Sequence, residues 1–390
     1  MTQASRSASA TSPSSPLDAG PTEAAGPATA GLRVMHFVTG GFSGATQVAV
    51  DLALAGLERS GMPTLLVLRR KRNTDEARVQ ALRARGLQVE VVAGWSHLAT
   101  LWALWRLCRQ WQPDVMLAHG FPEHLLGRWA GCWAGVPRLV QVEHNTRERY
   151  STWKLWQSRW LGVRTARIIG VSEGVRQRLL ALGAPADRTV AIPNGIELQR
   201  FARAEAQPFE SREPSVLMSA RFSRQKDHLS LVRALALLAQ RGLKPRLRLA
   251  GAGKSSYREA VEREVRALGL SDQVELLGHH ADMPGLLMSQ QIFVLSTHWE
   301  GMPLALLEGM AAGCACVAAE VPGVEGVLQH EQTGLLVPHE SPQALADALE
   351  RLLRDPALAA RLGRQARAQA LQAHGSGLML QRYLDMIRAL

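Results

Sequence analysis

The chain has 390 residues, of which 46% are hydrophobic and 20% charged. At about 150 residues per domain, this length predicts two or three domains of ordinary globular composition, which excludes a disordered chain and a small disulfide-stapled protein. The continuous apolar runs, such as Ile292 to Leu295, are far shorter than the ~20 residues that span a bilayer. The net charge of +11 favours anionic partners: nucleic acid, phosphorylated small molecules or an acidic lipid surface.

The first 30 residues consist mainly of Ser, Ala, Thr, Pro and Gly, with almost no large apolar side chain. Such a segment cannot bury enough surface to order itself, so 1–30 is expected to be a disordered leader. It lacks the apolar core of a secretory signal, and we therefore expect a cytoplasmic protein. The 4 cysteines form no CxxC pair, which favours a reduced compartment and predicts no metal site.

From Leu32 onward, short apolar runs alternate with stretches of helical spacing. The first unit is LRVMHFV, then the turn-rich TGGFSGA, then a helical pattern that ends at Gly61. Strands that alternate with helices at this spacing indicate βαβ units around a parallel sheet. Further strands are predicted at 64–70, 87–93, 115–120 and 138–145, and helices at 75–85, 98–111 and 123–134.

A second series of the same kind follows Ala204 to Pro214, a segment that mixes charge, Gln and Pro and is interpreted as the interdomain linker. This series predicts a second parallel sheet. Its strands are expected at 214–221, 247–253, 273–278, 291–297 and 314–319, and its helices at 229–241, at 256–268 and from Pro303.

The sequence thus predicts an α/β protein with two Rossmann-like, doubly wound domains, 31–205 and 206–375. The tail from Pro342 is mostly helical and includes an exposed turn at 375–377. The last amphipathic helix, 376–390, is expected to pack back toward the N-terminal domain.

The most informative stretch is STHWEGMPLALLEGMAAG in the second half. A strand ends near Thr297, a loop presents Glu300, and Pro303 suits a first helical turn because its missing N–H is not needed there. Glu308 follows in the second turn. Unpaired amides at this helix start would face the carboxyl end of the sheet, where an anion such as a diphosphate binds. On its own, the Glu-x7-Glu spacing is better explained by helix capping and solubility.

Five short motifs change that interpretation. In chain order they are VSEGV at 171–175, PNGI at 193–196, ARFSRQKDH at 220–228, the Glu-x7-Glu pattern with EG-x-P inside it, and TGLLVP at 333–338. They occur in the order seen in family 4 glycosyltransferases, and the chain resembles that family from about Leu32 to its C-terminal end. No single motif is decisive, but five in the correct order are specific.

The resemblance implies a GT-B fold, in which two Rossmann-like domains face each other across a cleft. It implies a nucleotide sugar held mostly by the C-terminal domain, an acceptor held mostly by the N-terminal domain, and retention of anomeric configuration. The residue matching Glu308 binds the donor ribose, and the one matching Glu300 faces the transferred sugar. Arg221 and Lys226 match the basic pair that holds the diphosphate, where cations would stabilise the charge that the leaving group gains. The predicted donor site is completed by the helix start, Pro303, Leu304 and Ala305.

The loop GGFSGA at 40–45 resembles the Gly-rich first loop of the family, where bare backbone lets the sugar or phosphate approach. Two residues separate the Gly pair from Gly44, so either Gly41 or Gly44 is expected to contact the donor. A simple tight turn is the alternative.

Two histidines follow neighbouring predicted strands of the first domain. His144 matches the position where the family often has a His near the reacting sugar, and it is predicted to be catalytic together with Glu300, Arg221 and Lys226. A lone His at a strand end is structural about as often as it is functional. His119 ends the preceding strand and is given a supporting place on the acceptor side of the cleft.

The segment 147–167 carries three tryptophans at i, i+3 and i+7, with 6 basic residues against 1 acidic. Aromatic side chains beside Lys and Arg are typical of an interfacial membrane helix, and the stretch 102–111 has a similar composition. Packing of the tryptophans into the domain core is an equal alternative. The predicted membrane-facing residues are Trp153, Lys154, Trp156, Arg159, Trp160 and Arg164.

The sequence therefore predicts a retaining glycosyltransferase that needs no metal or cofactor and uses a nucleotide-diphosphate hexose, UDP rather than GDP. Its acceptor is expected to be a lipid-linked, lipopolysaccharide or polysaccharide glycan at the inner face of the cytoplasmic membrane. One alternative is a GT-B nucleotide-sugar epimerase, which would need catalytic acids on both sides of the cleft. The other is a basic nucleic-acid-binding protein, but the Lys and Arg are dispersed and no motif reads RNA or DNA, so no nucleic acid partner is expected.

Overall fold

The computed structural model describes residues 31–42, 44–148 and 150–390. The expected leader, Ser43 of the glycine-rich loop and Arg149 of the tryptophan-rich segment lie outside the described residues. In the described part, the strands form two sheets, and all neighbouring strands within each sheet are parallel.

The first sheet has the strand order β3-β2-β1-β4-β5-β6-β7 and the second has the order β10-β9-β8-β11-β12-β13. In each order the chain reverses its direction of winding beside the first strand of the sheet, which makes both domains doubly wound. The strands are β1 (Val34–Thr39), β2 (Thr64–Arg69), β3 (Gln88–Val92), β4 (Val115–His119), β5 (Arg138–Glu143), β6 (Arg167–Gly170), β7 (Thr189–Ala191), β8 (Glu213–Ser219), β9 (Leu247–Ala250), β10 (Val274–Gly278), β11 (Gln290–Leu295), β12 (Ala315–Ala319) and β13 (Leu335–Val337).

Helices connect the strands and cover both faces of each sheet. They are α1 (Gly44–Ser60), α2 (Glu76–Ala84), α3 (His97–Trp111), α4 (Glu123–Ala134), α5 (Thr152–Gly162), α6 (Glu173–Ala181), α7 (His228–Gln240), α8 (Ser255–Ala267), α9 (Met283–Met288), α10 (Leu304–Ala311), α11 (Pro342–Arg354), α12 (Pro356–Ala373) and α13 (Ser376–Arg388). Within the described residues, no helix combines the length and the apolar character needed to cross a bilayer.

The continuous apolar runs in the sequence become strands that are buried on both faces, as parallel sheets require. Every residue of β12 is buried, as are the last four of β11. One apolar cluster extends from Leu117 in the first sheet through Met302 to Leu306 in α10, so the core is continuous between the domains.

The linker expected at 204–214 is more ordered than its composition indicates. Its Phe209 is buried, and β8 already begins at Glu213. Arg212 is also buried and donates from Nη1 to the main-chain oxygen of Ala312 at 2.7 Å. The linker is therefore held against the end of α10 by this hydrogen bond.

The C-terminal chain crosses back to the first domain, where α13 contacts α1. Arg138 donates from Nε to the main-chain oxygen of Leu390 at 2.7 Å. The prediction of an exposed turn at 375–377 was wrong for its first two residues. Ile196 donates to the main-chain oxygen of His374 and accepts from the amide of Ser376, so this part of the turn is pinned against the chain after β7.

Candidate active site

The loop after β11 meets the loops after β5 and β6, so the carboxyl edges of the two sheets face each other. Thr146 Oγ1 donates to the main-chain oxygen of Glu300 at 2.7 Å, and Ser172 Oγ donates to that of Gly301 at 2.7 Å. A Cβ built on Gly301 would lie 1.9 Å from the main-chain oxygen of His144. Only glycine permits this approach, which brings the loop after β11 and the start of α10 against the end of β5.

Lys226 and Glu300 form a salt bridge at the centre of this cleft. The Nζ–Oε1 distance is 2.5 Å, and Thr297 Oγ1 donates to the same carboxylate oxygen at 2.8 Å. The two side chains are only 14% and 7% exposed. Because an ammonium group has three N–H donors, Lys226 keeps two for a further anion. The sequence assigned these residues to different parts of the donor, and the structure places them in direct contact.

The start of α10 lies beside this pair. Pro303 occupies the N-cap position and supplies no side-chain cap. Within the described residues, the amides of Leu304 and Ala305 have no hydrogen-bond partner, so they form the positive end of a helix dipole open to the cleft. Arg221, two residues after β8, is exposed and has no ion pair in the described part of the chain.

Glu308 lies on the second turn of α10 and is half-buried. Burial raises the pKa of its carboxyl above the usual value, and the positive charge of Arg200 opposes that shift. No hydrogen bond or ion pair to the Glu308 side chain occurs among the described residues. Burying a carboxylate without a hydrogen-bond partner costs free energy, and such groups are typical of sites where a ligand supplies the missing donors.

The glycine-rich loop after β1 approaches α10 from the other domain. A Cβ on Gly44 would lie 3.8 Å from Leu304 Cδ1, whereas a Cβ on Gly41 would meet the side chain of Asn73 at 3.7 Å. Of the two glycines that the sequence left open, Gly44 therefore lies opposite the start of α10 and Gly41 packs within its own domain.

His144 and His119 are in hydrogen-bond contact, with 3.4 Å between His144 Nε2 and His119 Nδ1. A third ring continues the series, because His119 Nε2 lies 3.2 Å from Nδ1 of the buried His36. Burial lowers the pKa of His36 to about 3 and that of His144 to about 4. Sequence reasoning missed His36, a single polar residue inside the apolar run of β1.

Two carboxyl groups lie behind His144. Glu143 is buried and accepts a hydrogen bond from the His144 amide at 3.0 Å. Burial, followed by the charge of Glu148, raises the pKa of Glu143, and burial raises the pKa of Glu148 to about 7. Both groups therefore favour the protonated form more than ordinary surface carboxyls do.

One compact group in the described residues offers three metal-ligand atoms: His298, His339 and Glu340. His298 Nδ1 lies 3.1 Å from a carboxylate oxygen of Glu340, and both loop residues after β13 are exposed. The expectation that the reaction needs no metal stays a prediction.

The tryptophans of α5 do not share one environment. Trp153 and Trp156 are 63% and 50% exposed and stack on each other, whereas Trp160 is half-buried and stacks on Trp129 of α4. The expectation that all three face outward was therefore wrong for Trp160, since the facing helix α4 covers it. Arg164 lies 3.6 Å from the Trp160 ring centroid and extends this contact to the surface.

Further aromatic side chains are exposed on the neighbouring helices α3 and α4. Helix α4 contacts both α3 and α5, so these three helices are neighbours in the first domain. Basic side chains lie among them: Arg106 lies 5.7 Å from the Trp102 centroid, and Lys154 lies 5.1 Å from that of Phe121. The residues of this tryptophan surface are Trp95, Leu98, Trp102, Trp105, Trp133, Trp153 and Trp156.

Arg159, another predicted membrane-facing residue, has a structural contact. Its Nε donates to the main-chain oxygen of Leu182 at 2.8 Å, which ties α5 to the end of α6.

Residues 42–200 match the family model described as Glycosyltransferase Family 4, and residues 199–369 match the model described as Glycosyl transferases group 1. The chain is a family 4 glycosyltransferase. The predictions of the family and of transferase activity are therefore confirmed.

Two relatives illustrate the breadth of the family. The UDP-Gal:alpha-D-GlcNAc-diphosphoundecaprenol alpha-1,3-galactosyltransferase of Escherichia coli is 25% identical over 277 residues, which cover 67% of this glycosyltransferase and 72% of that protein. The alpha-D-kanosaminyltransferase of Streptomyces kanamyceticus is 28% identical over 307 residues, covering 71% and 78% of the two chains.

Among solved structures, that of Anabaena HepE in complex with UDP-glucose matches with a TM-score of 0.79 and 22% identity, covering 92% of this chain and 100% of that one. A sucrose-phosphate synthase from Thermosynechococcus elongatus matches with a TM-score of 0.78 and 20% identity, covering 92% and 98%. The GT-B fold that the sequence predicted is confirmed.

Proposed function

We propose that this glycosyltransferase moves a hexose from a nucleotide-diphosphate sugar, UDP rather than GDP, to a glycan acceptor with retention of configuration. The observation that carries the proposal is the combination of an open helix start with an unpartnered carboxylate one turn further along α10. The amides of Leu304 and Ala305 fit a diphosphate, and Glu308 fits the two hydroxyls of a ribose. The UDP-glucose complex of HepE and the UDP-Gal named for the E. coli relative support the choice of nucleotide.

The donor site is tested by Glu308→Ala, with the exposed Glu259→Ala on α8 as a control of equal charge change. Each hydrogen bond from a ribose hydroxyl to the charged acceptor contributes about 1.5–3 kcal/mol, so titration calorimetry should show UDP affinity falling by at least about ten-fold. The control should bind UDP as the wild type does. Unchanged affinity of Glu308→Ala for every nucleotide that binds the wild type would reject the ribose assignment.

In the proposed chemistry, the bond from the anomeric carbon to the diphosphate oxygen breaks, and the diphosphate gains negative charge. Arg221, the two remaining N–H groups of Lys226 and the start of α10 stabilise that charge, while the departing diphosphate takes the proton of the attacking hydroxyl on the same face. His144 and Glu300 flank the transferred sugar. Arg221, Lys226 and the start of α10 supply the positive charge that a metal ion would otherwise provide, and the proposal includes no cofactor.

The acceptor is proposed to be lipid-linked or part of a lipopolysaccharide or polysaccharide, and the enzyme to bind the inner face of the cytoplasmic membrane. The tryptophan surface carries this step, because exposed Trp beside Lys and Arg suits the headgroup region of an anionic bilayer. The diphosphoundecaprenol in the name of the E. coli relative supports a lipid-linked acceptor.

Sedimentation with vesicles that contain anionic lipid tests the membrane proposal. Each Lys or Arg near such a surface contributes roughly 1 kcal/mol, so reversing Arg106, Lys154 and Arg164 to Glu should abolish binding, and salt should release the wild type. The matched control reverses three exposed cations of the other domain, Lys244, Arg263 and Arg266. If both triple variants bind alike, or if the wild type ignores anionic vesicles at low salt, a lipid-linked acceptor loses its support.

A further inference from the structure

Three histidines from neighbouring strands form a continuous series, which we call the histidine file: His36, His119 and His144. They occupy the middle of β1, the last residue of β4 and the position just after β5. The register pairs His36 with Leu117 and His119 with Val142, so each histidine lies two residues further toward the carboxyl edge than the previous one. A shift of two residues keeps the side chain on the same face of a sheet, and this arrangement extends the file from the domain interior to the cleft.

The file consists of uncharged rings. His36 and His119 are buried, and His144 is half-buried. Desolvation is the first cause that lowers the pKa of each ring, and for His119 the second cause is its two histidine neighbours. A neutral imidazole has one N–H donor and one acceptor nitrogen. Three neutral rings in contact therefore share their donors in only two consistent directions.

In the first direction His36 donates from Nδ1 to His119 Nε2, and His119 donates from Nδ1 to His144 Nε2. The inner end of the file then keeps only a lone pair, on Nε2 of His36. The second direction reverses both bonds and leaves an N–H on that same atom, and among the described residues no hydrogen bond of His36 Nε2 is found. An N–H without a protein acceptor is costlier than an unpaired lone pair, so the first direction is favoured.

We propose that the histidine file fixes His144 in the tautomer that carries its proton on Nδ1, so that this ring presents a neutral N–H donor to the cleft. His36 and His119 are then positioning residues, and His144 hydrogen-bonds an oxygen of the donor sugar or diphosphate. The assignment of His144 to the reacting sugar rests on the proposed function, but the tautomer does not.

The tautomer is read directly by nitrogen-15 NMR of histidine-labelled protein, without any need for turnover. We expect His144 to carry its proton on Nδ1 in the wild type and in His119→Asn, because the asparagine amide can donate from the position of the lost Nδ1. In His119→Leu no donor faces His144 Nε2, and its proton should become distributed between the two nitrogens. A wild-type His144 protonated on Nε2 would overturn the proposal. If the tautomer is as expected but no nucleotide sugar is turned over, the proposed function fails and the file stands.

The same variants give a kinetic readout that a merely structural role would not produce. An incorrect tautomer reduces turnover much more than binding, so His119→Leu should lower kcat by at least about ten-fold with little change in donor KM. His119→Asn should recover most of that loss. His330→Asn, on the exposed loop before β13, serves as the control. Equal kcat values for His119→Leu and His119→Asn, with equal thermal stability, would show that packing alone matters at this position.

Discussion

Removing Lys226 should destabilise the protein because it leaves Glu300 without its counterion in the interior of the cleft. Breaking a buried ion pair costs about 3–5 kcal/mol, and the 14% exposure of the Lys226 side chain favours the lower end. The hydroxyl of Thr297, 2.8 Å from the carboxylate, then remains as its hydrogen-bond donor in the side-chain network described above. At 2–4 °C per kcal/mol for an unfolding unit of 150–250 residues, Lys226→Met should lower the Tm by roughly 6–12 °C.

A double-mutant cycle separates the pair from simple loss of packing. In Lys226→Met/Glu300→Gln the unpaired charge is absent, so the Tm should recover most of the decrease seen in Lys226→Met. The activity should not recover. The exposed pair Arg258 and Glu262 on α8 provides the control. Because such a pair contributes at most about 1 kcal/mol, Arg258→Met should shift the Tm by only a few degrees. Glu300→Gln completes the cycle, and calorimetric scans at matched rates measure the wild type, the two single variants, the double variant and the Arg258→Met control. The reasoning is refuted if Lys226→Met changes Tm as little as the control does, or if the double variant is no more stable than the single one.

Two further predictions concern the loops that line the cleft. Gly301→Ala places a methyl group against the main-chain oxygen of His144, so X-ray solution scattering should show a more open molecule and assays should show little activity. A Cβ on Gly377 would meet nothing within 4 Å, so the control Gly377→Ala should resemble the wild type in both measurements. For Glu148, a folded-state pKa raised to about 7 means that the native state holds the proton longer than the unfolded chain, so this group lowers stability as pH rises from about 4.5 to 7. Glu148→Gln should therefore raise Tm relative to the wild type at pH 8 and change it little at pH 4, and an equal gain at both pH values would contradict the assignment.

The parallel sheets could be predicted from the sequence because their signal is local. Runs such as QIFVLST are continuous in apolar residues and bounded by turns, and they became β11 and its end. The start of α10 was equally visible, since Pro303 precedes an apolar helical pattern. A strand or helix start of this kind is determined by neighbouring residues, which is why its position in the chain could be predicted to within a few residues.

The contacts inside the cleft are long-range, and no local pattern encodes them. Lys226 and Glu300 are 74 residues apart, and His36 contacts His119 across 83 residues. His36 is flanked by apolar residues in β1, so the sequence of this strand resembles that of any buried strand. Only the register of β1 against β4 determines which polar side chain it meets, and a single sequence does not contain that register.

The tryptophan segment shows a different limit. A spacing of i, i+3 and i+7 defines one helical face, but it does not say what covers that face. In the structure, α4 extends over Trp160 and leaves Trp153 and Trp156 exposed. Trp95 and Trp133 are exposed in other segments, and Trp133 is paired on α4 with Trp129 four residues earlier. The surface is therefore a property of the packing of α3, α4 and α5.

The proposed reaction assigns different roles to the charges in the cleft. Glu300 already neutralises Lys226, so in the proposed donor site the unpaired attraction for a diphosphate comes from Arg221 and the start of α10. We expect the diphosphate to gain charge as the glycosidic bond breaks and to compete with Glu300 for the ammonium group of Lys226, which would raise the contribution of that lysine only in the transition state. Arg221→Ala should therefore act mainly on donor affinity, whereas Lys226→Ala should act mainly on turnover. Calorimetry and steady-state kinetics on the two variants measure this division, and equal losses of affinity and turnover in both would show that the pairing with Glu300 has no role in it.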